Sequence, residues 1–141
     1  MDLSPILARL KTQLVGLKSV GASADLDAAI EGTVAVPSAF VLPLGESATP
    51  SELTMVTRQR MTHSFGVVHV VTNRRDAQGA QALVDLATLR EQLKAALIGW
   101  VMVAASGEPV QFTGGRLLSL DGNGRLWWVD EFVFLSTYRS N

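Results

Sequence analysis

The stretch from Val56 to Asn73 constrains this chain more than any other. Its odd positions carry Met61, Phe65, Val67 and Val71, and its even positions carry Arg58, Arg60, Thr62, Ser64, Val68 and Val70. A two-residue period of this kind belongs to a β-strand, whose successive side chains point to opposite faces. The first half is apolar on one side only, whereas the second half is apolar on both. Most strands stop after about 5–6 residues, so this one is expected to cross the domain and project beyond it. A second passage repeats the theme. Two strands, about Val110–Leu120 and Leu126–Tyr138, are joined through Asp121-Gly122-Asn123-Gly124, a strong turn signal. A solvated strand pair does not need so much apolar surface on both faces. Such strands are expected to be covered twice, once by the chain's own helices and once by something else.

The remaining elements fill in around them. Ser4-Pro5 reads as an N-cap followed by proline at the first helical position. Leu3, Ile6, Leu7, Leu10, Leu14 and Leu17 then form one helical stripe, ending at Gly16 or Leu17, with a short extended piece over Lys18–Ala22. A shorter helix fits Ala24–Glu31, capped by Ser23, with Asp25 and Asp27 in its first turn. Ser38–Leu44 is bracketed by Pro37 and Pro43, which suits a short or edge strand. Gly45–Thr54 is polar and aperiodic, a long loop and the first candidate for an interface. Asp76 is placed to cap a helix over Gln78–Ile98, with Leu83, Leu86, Leu89, Leu93, Ala96, Leu97 and Trp100 buried and Arg90, Glu91 and Lys94 wet. The expected fold is one α+β domain over residues 1–141, a mainly antiparallel sheet with helices packed on one face.

Composition narrows the function classes. Hydrophobic residues make up 48% of the chain and charged ones 18%, which excludes a disordered chain. A mean hydropathy of +0.25 leans toward buried subunit contacts. The net charge of −1 offers no basic field for nucleic acid. The absence of cysteine removes disulfides, thiolate catalysis and cysteine metal sites, and suits a reducing cytoplasm. The first residues have neither the basic nor the apolar region of a signal peptide, and no apolar run approaches the roughly 18 residues of a membrane span. A soluble protein made inside the cell is expected.

No constellation reads as a catalytic site. His63 and His69 share a strand face but stand about 20 Å apart at strand rise, too far for one ion, and read as two partly exposed strand histidines. Asp130 and Glu131 are neighbours on a strand and point to opposite faces, so they cannot work as a carboxylate pair. Gly114-Gly115 and Gly122-Asn123-Gly124 lack the following helix and Lys-Ser/Thr of a phosphate loop, and read as turn glycines. Arg58, Arg60, Arg74 and Arg75 are the basic concentration, and without interleaved aromatics they suit the rim of an interface better than a nucleic-acid platform. Trp127 and Trp128 point opposite ways, so one can be core while the other meets a neighbour, or both can be core.

The ordered text carries a family likeness. It comprises the N-terminal amphipathic helix, Phe40-Val41-Leu42-Pro43-Leu44 with Glu46 behind it, and Arg58-Gln59-Arg60 entering Phe65-Gly66-Val67-Val68. Asn73-Arg74-Arg75-Asp76 follows, then Gly114-Gly115-Arg116-Leu117 before Leu126-Trp127-Trp128-Val129-Asp130-Glu131-Phe132. Across essentially the whole chain this resembles the tail terminator, or tail completion, proteins of long-tailed bacteriophages and prophages. The resemblance implies a homohexameric ring that caps the tail tube, ends its polymerisation and presents a docking surface for the head connector protein. It implies assembly in the bacterial host cytoplasm, residence in the virion tail, DNA passing through the lumen, and no catalytic residue, metal or cofactor. Six spheres of about 37 Å, the size of a chain this long, leave a central hole as wide as one of them, enough for duplex DNA. Glu46, Arg58, Arg60, His63, Arg74, Arg75, Arg116, Trp127 and Glu131 are the expected subunit or partner contacts. Two other readings stand beside this one: a different phage neck or tail connector component, and a small ligand-binding α+β module using a sheet–helix groove near Trp100 and Trp127.

Overall fold

The computed structural model describes residues 1–32, 35–72, 80–102, 107–121 and 124–140. Along them run α1 (Ser4–Gln13), β1 (Ser19–Gly21), α2 (Ser23–Glu31), β2 (Ser38–Ala48), β3 (Thr57–Thr72), α3 (Ala80–Leu97), β4 (Gln111–Leu120) and β5 (Arg125–Ser140). The strands form one sheet in the order β1-β2-β3-β5-β4, antiparallel except for the short β1–β2 pair. This is the expected α+β class. The alternating run is indeed one strand of 16 residues, paired with β5 over its whole length, from Thr57 opposite Ser140 to Thr72 opposite Arg125.

The pleat sorts the apolar residues onto two faces. On one, Ala39, Val41, Phe65, Val67, Phe132 and Phe134 meet Ile6, Leu10 and Leu14 from the α1 region and Leu93, Ala96 and Leu97 of α3. Phe65 and Phe132 face each other across the ladder with ring centroids 5.4 Å apart. On the other face Phe40, Val68, Val70, Trp127 and Val129 pack with Ala29 and Leu26 of α2. The short second helix thus supplies part of the second cover that the two-sided strands call for. Trp127 belongs to this face. Trp128 belongs to the first, packed against the cluster of Val71, Ala82, Leu86, Leu89 and Leu126.

Several local expectations change. Leu3, not Ser4, is the N-cap of α1, and the Asp2 carboxylate accepts from the Ser4 backbone N–H at 2.9 Å. The helix ends at Gln13, because Leu14 turns extended while its N–H still reaches Leu10 O, and Gly16 takes a φ of +90° that favours glycine. In α2, Ser23 is already helical. The N-cap is Ala22, whose N–H is held by the Asp25 carboxylate at 2.9 Å.

Only the second part of the expected Gly45–Thr54 loop is a loop. A register shift between Pro43 and Gly45 lets Gly45–Ala48 continue pairing with Ser64–Met61. Pro43 is tolerated because β1 flanks β2 only from Ser38 to Phe40. In α3 the buried stripe is Ala82, Leu86, Leu89, Leu93, Ala96 and Leu97. Leu83, expected inside, lies about 100° around the helix from Ala82 and is 59% exposed. The Asp76 cap, the start of that helix at Gln78, and Gly122 and Asn123 of the hairpin turn lie outside the described residues.

Candidate interface surfaces

Beyond the core, β2, β3 and β5 continue as an extension whose polar side chains are tied in a row. Glu46 stands opposite His63 in the ladder. The His63 ring stacks on Phe134 at 4.6 Å, with Nδ1 3.1 Å from Glu46 Oε1 and Nε2 2.8 Å from Ser136 Oγ. The Met1 amine reaches the same Glu46 oxygen at 3.1 Å. Hydrogen bonding from that amine first, and from His63 second, holds the Glu46 carboxyl below its ordinary range. Hydroxyl, imidazole and carboxylate here follow the order of a nucleophilic relay. Sharing the carboxylate with the N-terminal amine makes the row a tie that fastens the N-terminus to the extension.

At the tip of the extension, Thr49 N–H donates to Arg60 O at 2.9 Å and Arg58 N–H to Ser51 Oγ at 3.0 Å. Arg60 Nη2 pairs with Glu108 Oε1 at 2.6 Å, both side chains being largely exposed. Met55 follows at the turn. It is 98% exposed and adopts a φ of +70°, a backbone region that bulky residues seldom occupy. Leu53 and Tyr138 are exposed beside it in the chain and sheet.

The second sheet face carries another feature. Arg125 clamps α2 to the hairpin, donating to Ala29 O at 3.0 Å and Gly32 O at 3.2 Å while pairing with Asp121 at 2.7 Å. Trp127 Nε1 donates to Asp121 Oδ2 at 2.8 Å, and the Arg125 guanidinium lies over the Trp127 ring. Between helix and hairpin a cavity of about 350 Å³ opens, walled by Leu26, Ile30, Val68, Leu118 and Trp127, with Ser119, Asp121 and Arg125 at its polar side. Arg116 and Glu131 pair at 2.5 Å on the exposed strands.

Beneath the sheet lies a fully buried anion. Asp130 accepts from Arg90 Nε and Nη2 at 2.9–3.1 Å, from Trp128 Nε1 at 3.0 Å, and stands 3.1 Å from His69 Nε2. Burial pushes its carboxyl up. The hydrogen bonds from His69, Arg90 and Trp128 outweigh burial and hold it at about 2. It is a fixed negative charge at neutral pH rather than a proton donor. This corrects two expectations. His69 is buried rather than partly exposed, and Arg90 turns from the wet face of α3 to meet Asp130. Gly115 is no turn glycine. It lies within β4, and a Cβ there would come 2.5 Å from Asp130 Oδ1 and 3.0 Å from both Arg90 and Trp128. Among the described residues, no group of three His, Cys, Asp or Glu side chains could hold a metal ion.

The family model described as phage tail terminator protein matches residues 1–139. This chain belongs to that family. Membership sets it among the structural proteins of phage tails. A solved structure to which it is similar is a chain from the virion of a native gene transfer agent particle. The two are 15% identical over 94% of this chain and 95% of that one, with a TM-score of 0.48. Comparison with curated proteins found no match.

For this tail terminator the nine expected contact residues fall into distinct places. Glu46 and His63 come together in the N-terminal tie, Arg58 and Arg60 sit at the tip, and Arg116 and Glu131 pair on the second face. Trp127 is buried and lines the cavity. Arg74 and Arg75 lie outside the described residues. Trp100 and Trp127 do not share a groove. Trp100 packs on the first face with the Arg9 guanidinium 4.6 Å over its ring, whereas Trp127 packs on the second. The sequence places Met55 at the start of the projecting stretch Met55–Phe65 expected at subunit contacts, but a lone methionine in a polar segment gives no periodic signal that its side chain protrudes. Sequence reading passed over the α2 cavity, which needs residues from three separated stretches. No helix among the described residues is long and apolar enough to cross a membrane.

Proposed function

We propose that this tail terminator closes into a homohexameric ring on the finished tail tube, stops tube polymerisation and offers its outer surface to the head connector protein. The observation that carries the reading is the family match over residues 1–139. Two features support the ring. Exposed apolar side chains sit on β4 (Leu117, Leu118 and Leu120) and at the far tip of the extension (Leu53, Met55 and Tyr138). The sheet also ends in strand edges at β4 and along β2 beyond Phe40. Open edges invite pairing, which a closed ring satisfies and an open chain turns into aggregation. In this reading the projecting part of Met55–Phe65 and one face of β5 lie at subunit contacts, with Glu46, Arg58, Arg60, His63, Arg74, Arg75, Arg116, Trp127 and Glu131 at or near them. The near-neutral chain lets DNA pass through the lumen without trapping it. The ring assembles in the bacterial host cytoplasm and remains in the virion tail.

The test is tube growth. Purified protein added to polymerising tube subunits is expected to arrest elongation, giving short tubes with a ring at one end by negative-stain electron microscopy. Tubes of unchanged length with bare ends would contradict the proposal.

A further inference from the structure

Met55 and the α2 cavity stand at opposite ends of the sheet. Val68, in the cavity wall, is 11 residues along β3 from Thr57, a separation of about 37 Å at strand rise. No subunit can therefore fill its own cavity with its own tip. The two features match in chemistry. The tip offers a fully protruding apolar side chain, Met55, next to exposed Leu53. The cavity is walled by Leu26, Ile30, Val68, Leu118 and Trp127. Their surroundings also differ in charge. Arg58, Arg60 and Arg139 outnumber Glu52 and Glu108 around the tip. α2 carries Asp25, Asp27 and Glu31, all exposed, and no Lys or Arg, while the nearby Arg125 is committed to Asp121.

From this knob, this hole and their opposite charges we infer that Met55 of one subunit seats in the cavity between α2 and the β4–β5 hairpin of the next copy of the same chain. The inference rests on the ring reading and gives it a direction. The contact joins two different patches, so it is heterologous: repeated around an axis it builds a ring where the rotation closes and an open filament where it does not, and the ring reading requires closure. Met55 is 98% exposed at a backbone conformation that bulky residues seldom adopt, and its flexible, polarisable thioether can fill an irregular pocket.

The lack of cysteine gives a clean test. A Met55→Cys, Ile30→Cys double variant, mildly oxidised at assembling concentration, is expected to give a covalent ladder that ends at the ring. Mixing the two single variants is expected to give one product, joined between residues 55 and 30 by peptide mass spectrometry. A second measurement is Met55→Asp with circular dichroism as the folding control. Loss of the buried methionine is expected to weaken subunit association by about tenfold or more. A wild-type ring that persists with no 55–30 crosslink, or with Met55→Asp assembling normally, would overturn this contact and leave the ring standing. A wild-type protein that stays monomeric would overturn both.

Discussion

Asp130 ties three elements together through one buried carboxylate, joining β5 to His69 of β3 and Arg90 of α3. Its carboxylate is fully buried between the sheet and α3, is paired with the Arg90 guanidinium, and has His69 and Trp128 within hydrogen-bond distance. Breaking a buried pair leaves the remaining charge uncompensated. The folded carboxyl titrates at about 2, against an ordinary 3.8. Asp130→Asn is therefore expected to cost about 2 kcal/mol at pH 7, seen as a lower urea midpoint with unchanged slope. The sign of the pH dependence follows from the lowered value. This stabilisation is complete above the unfolded pKa of 3.8 and disappears as pH falls through about 2. The gap between wild type and Asp130→Asn should narrow over that range. Gly115→Ala is a second probe of the same cluster. Its new methyl would meet the Asp130 carboxylate, so a loss of about 1–3 kcal/mol is expected, and a neutral result in thermal unfolding would count against this packing.

The extension built from the far halves of β2, β3 and β5 stands largely beyond the helical cover and is held by its ladder and by the Met1–Glu46–His63–Ser136 row. Glu46→Gln is expected to loosen both ends of that tie. Hydrogen exchange should quicken at Ser4 and Leu7, whose N–H groups are bonded to Asp2 and Leu3, and at Glu46–Ser47, while the Phe65–Val71 amides stay protected. Since Glu46 titrates below its ordinary 4.5, the tie is present above that value and is lost as pH falls through the lower folded one. Equal exchange in both proteins at neutral pH would remove the tie from the account. At this scale the sequence was readable where a period existed. β3, β4 and β5 and the α1 stripe emerged because their apolar residues repeat every two or every three to four positions. Gly45–Ala48 was hidden because a bulge after Pro43 breaks the alternation and polar Glu46 and Ser47 fill both sides. The Asp130 cluster was hidden for a different reason. Its partners lie 40 and 61 residues away, and only the sheet register brings them together. Six of the nine contact residues, Arg58, Arg60, His63, Arg116, Trp127 and Glu131, were chosen from strands whose direction was legible, yet what each one touches depends on that same long-range pairing.

At the scale of the whole molecule, the chain carries apolar surface in places that its own helices do not cover. α1 and α3 take one sheet face and α2 part of the other, which leaves β4, the cavity beside α2, and the distal tip. The ring reading joins these surfaces between copies. Arg60→Glu is expected to weaken assembly while leaving the subunit folded. Arg60 and its partner Glu108 are both well exposed, so losing their pair costs a monomer within about 0.5 kcal/mol, whereas a reversed charge at a subunit boundary repels its neighbour. Circular dichroism and sizing on the same sample separate the two effects. The most direct test is native mass spectrometry of the wild-type protein across a concentration series. The account predicts one closed species near 91 kDa, about six times the 15.1 kDa chain, with no continuous ladder of larger oligomers. A folded protein that remains at 15.1 kDa at every concentration, both alone and with tail tubes present, would contradict it.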